Sequence, residues 1–228
     1  MKISQTTFLA SGLASIASAQ DTTCSTSSLN TTASTWTVAE TDTIFSIAAA
    51  TNRGVCDIAR ASRMPDAEYI DTGMVLIIPA QVCNPDDESC LLTASNDTTL
   101  CVYGGPHTYT TVRNDTITKI ATKFNVDVSV LSTNTTTGML KVSSVDEIIT
   151  AGTLMKVPQC SPSECTVQPI QFTYGVYKDL AEKYHTTVGQ LFGFNTGYRY
   201  SDSVESLSPV LTIPMNCKPL SDNITVIS

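Results

Sequence analysis

Eight cysteines hold most of the reactive chemistry in this sequence: Cys24, Cys56, Cys83, Cys90, Cys101, Cys160, Cys165 and Cys217. Such side chains ligate zinc, cycle as redox pairs or close disulfides. A zinc site draws on closely spaced ligand pairs, but no such pair recurs here, and imidazole is offered only by His107 and His185. No metal and no cofactor is expected, and disulfides are the expected state of the thiols. Carboxylates are plentiful, 21 in all. Glycoside hydrolysis needs two of them held about 5–10 Å apart across a substrate cleft. That reading depends on whether any segment is long enough to build the cleft.

The compartment follows from the first residues. Lys2, an apolar run from Phe8 to Ala14, and Ala17-Ser18-Ala19 have the layout of a secretory signal with a small-residue cleavage site, so residues 1–19 are read as a signal peptide. The run is too short and interrupted to cross a bilayer. Loss of Lys2 leaves 12 basic against 21 acidic residues, a net charge of −9. With no basic stripe, the chain is expected to avoid nucleic acid and anionic membranes. A secreted, extracellular protein is expected, with no membrane anchor.

The elements that position any site come from a repeat. Residues 108–128, TYTTVRNDTITKIATKFNVDV, read as a strand, a polar turn and a helix, with Ile117, Ile120, Ala121 and Phe124 on one apolar face. Asp115 is read as the cap of that helix and Asp127 as the cap of a second one. A strand, TLMKVP, closes the unit at 153–158. Residues 35–55 align without gaps, matching Asp42-Thr43-Ile44 to Asp115-Thr116-Ile117 and Ile47-Ala48 to Ile120-Ala121, and close on LIIP at 76–79. Residues 168–188 form a degraded third copy. It keeps Leu180-Ala181 and a closing LTIP at 211–214, but Tyr174-Gly175-Val176 replaces the Asp-Thr turn.

A strand ending in an Asp-Thr-Ile turn, a helix with Ile-Ala and a last strand ending Ile-Pro together resemble the LysM domain. The resemblance covers about 36–79, 108–158 and 169–214. Three such units on a secreted, cysteine-containing chain resemble the fungal LysM effectors. The implied fold is α+β: three small βααβ LysM domains, stapled by disulfides. The expected layout is a signal peptide at 1–19, a Ser/Thr-rich segment at 20–34, domain 1 at 35–80 and a cysteine-bearing linker at 81–106. Domain 2 follows at 107–159, a linker at 160–167, domain 3 at 168–217 and a polar tail at 218–228. The resemblance implies a lectin for chitin (N-acetylglucosamine) oligosaccharides without catalysis, acting as a monomer or a ligand-bridged oligomer.

In a unit whose first and last strands pair, the two ends lie close, so flanking cysteines can meet. That favours Cys101 with Cys160 and Cys165 with Cys217, leaving four cysteines to the first unit. Units of this size bury small cores and need such staples. Five N-x-S/T sequons, at Asn30, Asn96, Asn114, Asn134 and Asn223, are candidate glycan acceptors and hence surface positions. Asn114 lies in a turn of the second unit that the resemblance assigns to ligand, so a glycan there would obstruct that unit's site.

The resemblance places ligand between two loops at one end of each unit. In the first unit these carry Thr41, Asp42, Thr43, Ile44, then Met64, Pro65, Asp66, Ala67 and Tyr69. In the second they carry Asn114, Asp115, Thr116, Ile117, then Val142, Ser143, Val145 and Asp146. In the third they carry Tyr174, Gly175, Val176, Tyr177, then Thr196, Gly197, Tyr198 and Tyr200. Pro65, Ala67 and Tyr69, and Gly197, Tyr198 and Tyr200, are expected to supply apolar surface. The duller reading makes Asp42 and Asp115 helix caps, Ile44, Ile47, Ile117 and Ile120 core, and Trp36 packing at the first strand. The connector lengths suggest that the loops of units one and three face each other and enclose one oligomer. The implied role is to sequester chitin fragments from host immune receptors. The alternatives are shielding of wall chitin from hydrolases, or binding of peptidoglycan. A LysM-targeted hydrolase is disfavoured, because three repeats and a leader leave no segment long enough for a catalytic domain. A shed receptor ectodomain is disfavoured by the wide cysteine spacing between units.

Overall fold

A computed structural model describes residues 24–105, 108–133, 142–198 and 208–227. The expected leader, His107, Asn134 and Tyr200 lie outside the described residues. Three antiparallel strand pairs organise the chain, each bracketing two short helices. In the first, β1 (Ser34–Thr37) pairs with β2 (Val75–Ile78) around α1 (Ile44–Thr51) and α2 (Val55–Ala61). A two-residue strand, β3 (Val102–Tyr103), precedes the second unit. There β4 (Thr108–Thr110) pairs with β5 (Leu154–Lys156) around α3 (Ile117–Phe124) and α4 (Val128–Thr133). After β6 (Gln159–Ser161), the third unit pairs β7 (Ser163–Gln171) with β8 (Val210–Pro219) around α5 (Tyr177–Tyr184) and α6 (Val188–Phe194).

The Asp-Thr turn works one residue out of step with the expected cap. Thr43 and Thr116, not Asp42 and Asp115, are the N-caps, accepting from the amides of Ser46 (3.0 Å) and Lys119 (3.1 Å). The preceding aspartates turn back on the strand instead. Asp42 accepts from the Ala39 amide (2.9 Å) and the Trp36 indole (2.8 Å), and these bonds hold its carboxyl below the usual range. Asp115 accepts from the Val112 amide and the Tyr109 hydroxyl, both at 2.7 Å. The two turns are one device, an aromatic strand residue and a backbone amide converging on a carboxylate. Asp127 does cap as expected, accepting from the Ser129 amide at 2.8 Å. Helices α1, α3 and α5 all end on a left-handed residue, Asn52, Asn125 or His185 (φ 53°, 54° and 51°), an arrangement Asn tolerates well.

Cys101–Cys160 and Cys165–Cys217 are joined, as the strand geometry suggests, and the other pairs are Cys24–Cys83 and Cys56–Cys90. The linker and tail assignments need correction. Residues 160–167 are mostly strand, because β7 begins at Ser163. The tail supplies β9 (Thr225–Ile227), which pairs antiparallel with β6, while β3 runs parallel to β6 on its other side. Carbonyls and amides that a bare connector would leave to water thus form a small sheet behind units two and three.

The units share cores. One contains Tyr109, Ile117, Ile120, Phe124 and Leu131 of the second unit with Phe172, Tyr177, Leu191 and Phe192 of the third, and Tyr69 of the first reaches into it. Gly189 makes the closest approach, since a Cβ there would fall 2.4–2.6 Å from the Phe124 ring. The first unit's own core, built on Ile44, Ile47, Ile58 and Leu76, takes in Val176 from the third.

Candidate functional site

The two loops of the first unit leave a groove of about 290 Å³ between them. Thr41, Asp42, Thr43, Ile44 and Phe45 form one bank and Glu68 and Ile70 the other, with Glu40 at the edge. The second unit closes one end with Arg113, Asn114 and Lys119. Arg113 pairs with Asp71 (3.2 Å) and Lys119 with Glu68 (3.9 Å), so the wall is tied to the loop it faces. These pairs are half-exposed and hold position more than they stabilise. The backbone supplies what the groove offers a ligand. Thr43 spends its side chain on the Ser46 amide, and among the described residues neither the helix-start amide of Phe45 nor the Ile70 amide across the groove has a partner.

The second unit answers the same geometry differently. Its helix-start amide, on Thr118, donates to the Val145 carbonyl (3.1 Å), and the Thr118 hydroxyl binds Asp146 (2.6 Å). The Ile149 amide, counterpart of Ile70, donates to the Asp115 carbonyl at 2.8 Å. These two loops bond to one another where the first unit's loops stand apart. Ser143 and Asp146 are exposed, Val142 and Val145 half-buried, and Asp115, Thr116 and Ile117 buried.

In the third unit the loop meets the first unit directly. Val176 stands at the cap position and has no side-chain acceptor, and the first helical amide, on Tyr177, donates to the Pro65 carbonyl (3.3 Å). The Gly175 amide donates to the Arg60 carbonyl (3.1 Å), and the Tyr198 hydroxyl to the Arg63 carbonyl (2.6 Å). Arg60 forks onto Asp179 (2.8 and 2.9 Å) while also reaching Asp86 (2.7 Å). This clamp pushes the Arg60 pKa up, chiefly through Asp179, and Asp86, held first by the Ser89 hydroxyl and amide and then by Arg60, lies well below the usual carboxylate range. Among the described residues the loops of units one and three therefore meet by direct contact, where the expectation has them facing each other across one oligomer. Val176 and Tyr177 are buried there, whereas Tyr174, Thr196 and Gly197 are exposed.

The same contact relocates several expected site residues. Met64, Pro65, Ala67 and Tyr69 do not wall the groove; all four are buried, because unit three and the joint core cover that side of the loop. Asn114, expected to govern the second unit's site, lines the first unit's groove. A glycan on it would overhang that groove. The other described sequon residues, Asn30, Asn96 and Asn223, are exposed.

Sequence reasoning missed two groups of residues. Glu40, Phe45, Glu68, Arg113 and Lys119 line the groove, and nothing in the repeat marks Arg113 or Lys119 because they belong to a different unit. The other is Lys123, 3% exposed, whose ammonium contacts Asp115 (2.7 Å), Asp66 (3.1 Å) and the Tyr109 hydroxyl (3.3 Å) over the Phe192 ring (5.0 Å). Burial alone would lower its pKa, but Asp66 and Asp115 outweigh it, and the net shift is upward. One cation thereby ties all three units together.

The LysM domain family matches residues 37–79 and 109–132. Secreted LysM effector LysM13 of Penicillium expansum is 49% identical over 219 residues, covering 95% of this chain and 94% of that protein. Secreted LysM effector ECP6 of Passalora fulva is 34% identical over 186 residues, 80% of this chain and 78% of that protein. Secreted LysM effector ELP2 of Colletotrichum higginsianum is 35% identical over 124 residues, 54% of this chain and 66% of that protein. With strand-paired βααβ units bearing the Asp-Thr turn, and with this identity along nearly the whole length of a relative, the chain belongs to the secreted LysM effectors.

Proposed function

We propose that the protein is a secreted, non-enzymatic lectin for chitin-type N-acetylglucosamine oligosaccharides, and that the first unit's groove is its principal site. The observation that carries this reading is the pair of amides, Phe45 and Ile70, that have no partner among the described residues and stand on opposite banks of a groove whose lining includes apolar Ile44 and Ile70. A neutral acetamide needs a donor for its carbonyl and an apolar seat for its methyl, and the arrangement supplies both without charge. An unmet backbone donor gains about 1 kcal/mol when a partner arrives.

The chain is read as three LysM units. The third departs from the repeat at its turn, yet keeps the βααβ order, the Leu180-Ala181 pair and the left-handed residue ending its first helix. Its loop amides already bond to Arg60 and Pro65 carbonyls, so the third unit is not expected to offer a separate site of its own. Fewer than three oligomers should bind each chain. In the host, such a protein would withhold wall fragments from chitin receptors.

Titration calorimetry with chitin oligomers of four to eight sugars tests this, with peptidoglycan fragments as comparison. Chitin should bind with a stoichiometry below three, and Thr41→Trp, which fills the groove from an exposed position, should remove the tightest phase. Absence of chitin binding, or three equal sites, would refute the reading.

A further inference from the structure

A second cleft, of about 460 Å³, lies on the outer side of α1, between that helix and residues 85–91 of the connector. Phe45 lines both this cleft and the two-loop groove, and the residue is 47% exposed. We propose that a long oligosaccharide does not end in the groove but continues over Phe45 into this cleft, which takes the further sugars of the same chain. The proposal rests on the lectin reading above and extends it.

The cleft has the character a pyranose requires. Phe45, Ala48 and Ala49 line it from α1, the alanines' short side chains leaving room for a ring, and Leu91 lines it from the connector. An aromatic face offers apolar contact to the C–H face of a sugar. The lining also carries the Asn52 amide and the Glu88 carboxylate, neither of whose side chains has a partner among the described residues. They are a donor–acceptor and an acceptor suited to hydroxyl and acetamide groups. An anionic ligand is disfavoured. The cation in the lining, Arg53, spends its guanidinium on the carbonyls of Pro79 (2.5 Å), Thr51 (2.7 Å) and Asn30 (3.1 Å), while Asp87 and Glu88 face the opening.

The cleft is also built in advance. The connector is held to α2 by the Cys56–Cys90 disulfide, by the Cys56 amide on the Asp86 carbonyl (2.7 Å) and by the Val55 amide on Asp87 (2.9 Å). A wall so fixed need not be ordered by the ligand, which removes a cost that commonly weakens carbohydrate sites. The 81–106 segment then acts as more than a spacer: its first part is one side of a binding surface.

The test compares chitin tetramer and octamer on the intact secreted protein and on Ala49→Glu, a helix-compatible change at an exposed lining position outside the two-loop groove. The wild-type protein should bind octamer about tenfold or more tighter than tetramer, a step that one further set of contacts readily supplies. Ala49→Glu should leave tetramer affinity unchanged, which also verifies folding, and should erase most of the octamer advantage. Backbone amide shifts at Asn52 and Glu88 should respond to octamer and not to tetramer. An octamer advantage equal in both proteins would overturn the extended site while leaving the lectin reading intact. Failure of the wild-type protein to bind tetramer or octamer would overturn both.

Discussion

Replacing Lys123 by Met should destabilise the whole molecule, because the change strands two carboxylates rather than removing one contact. Asp115 is 1% exposed at its side chain and Asp66 13%, and each has Lys123 within 3.1 Å. Met fills a similar volume, so packing against Phe192 is largely kept and the loss is electrostatic. Breaking a buried pair from one side costs about 3–5 kcal/mol. The Val112 amide and Tyr109 hydroxyl still serve Asp115, which places the expectation near the low end, about 3 kcal/mol. Urea denaturation followed by circular dichroism measures it, and one transition is expected because the cores of the three units are joined through Tyr69 and Val176. The double variant Lys123→Met with Asp115→Asn should recover about 1 kcal/mol or more, since the two sites contact and their effects should not add. Asp66 lies just before Glu68 on the groove's bank, so the single variant should also weaken oligomer binding. A loss under about 1 kcal/mol, or strict additivity in the double variant, would refute the account of Lys123 as the cation joining the units.

Gly189→Ala should cost about 1–3 kcal/mol by driving a methyl into the Phe124 ring; thermal unfolding measures this, and an unchanged midpoint would contradict the packing. Alkaline stability should fall above about pH 10, where unfolded Tyr and then Lys lose their protons. Burial raises the pKa of Tyr109 and Tyr177 and the carboxylates raise that of Lys123, so the folded state keeps protons that the unfolded state releases. Absorbance at the tyrosinate band should therefore show these two rings ionising together with unfolding rather than before it. Replacing Cys101 and Cys160 by Ala frees a loop of sequence separation 59 and should cost about 4 kcal/mol in denaturant titration. Removing a glycan from Asn114, if expression attaches one, should raise oligomer affinity through the first unit's groove, as calorimetry before and after deglycosylation would show.

The repeat was legible because it is local. Apolar spacing in 44–48 and 117–124 sets helix faces, closing Ile-Pro pairs end the strands, and paired strands bring Cys101 to Cys160 and Cys165 to Cys217. The aspartates were misassigned as caps for an equally local reason. Asp42 and Asp115 stand one residue before the threonines that cap, and both residue types suit that role, so composition could not choose between them. The strands in the tail and at 159–163 carry no clear alternation, and they form because partners remote in sequence meet them.

The site itself divides along the same line. Sequence alone determined that the chain carries no charge pattern for anions and that the third turn lacks its Asp and Thr, and its resemblance pointed to the two loops that in the first unit flank a groove. Tertiary structure alone decided what those loops face. It buried Met64, Pro65, Ala67 and Tyr69 under a neighbouring unit, gave the Tyr177 amide a Pro65 carbonyl as its acceptor, and set Arg113, Asn114 and Lys119 on another unit's groove. It also gathered Asp66, Asp115 and Phe192 around Lys123. Helical and strand periods are written over a few residues, whereas the packing of one unit on another depends on pairs far apart in sequence, such as Lys123 with Asp66 and Arg60 with Asp179, and no local pattern records them.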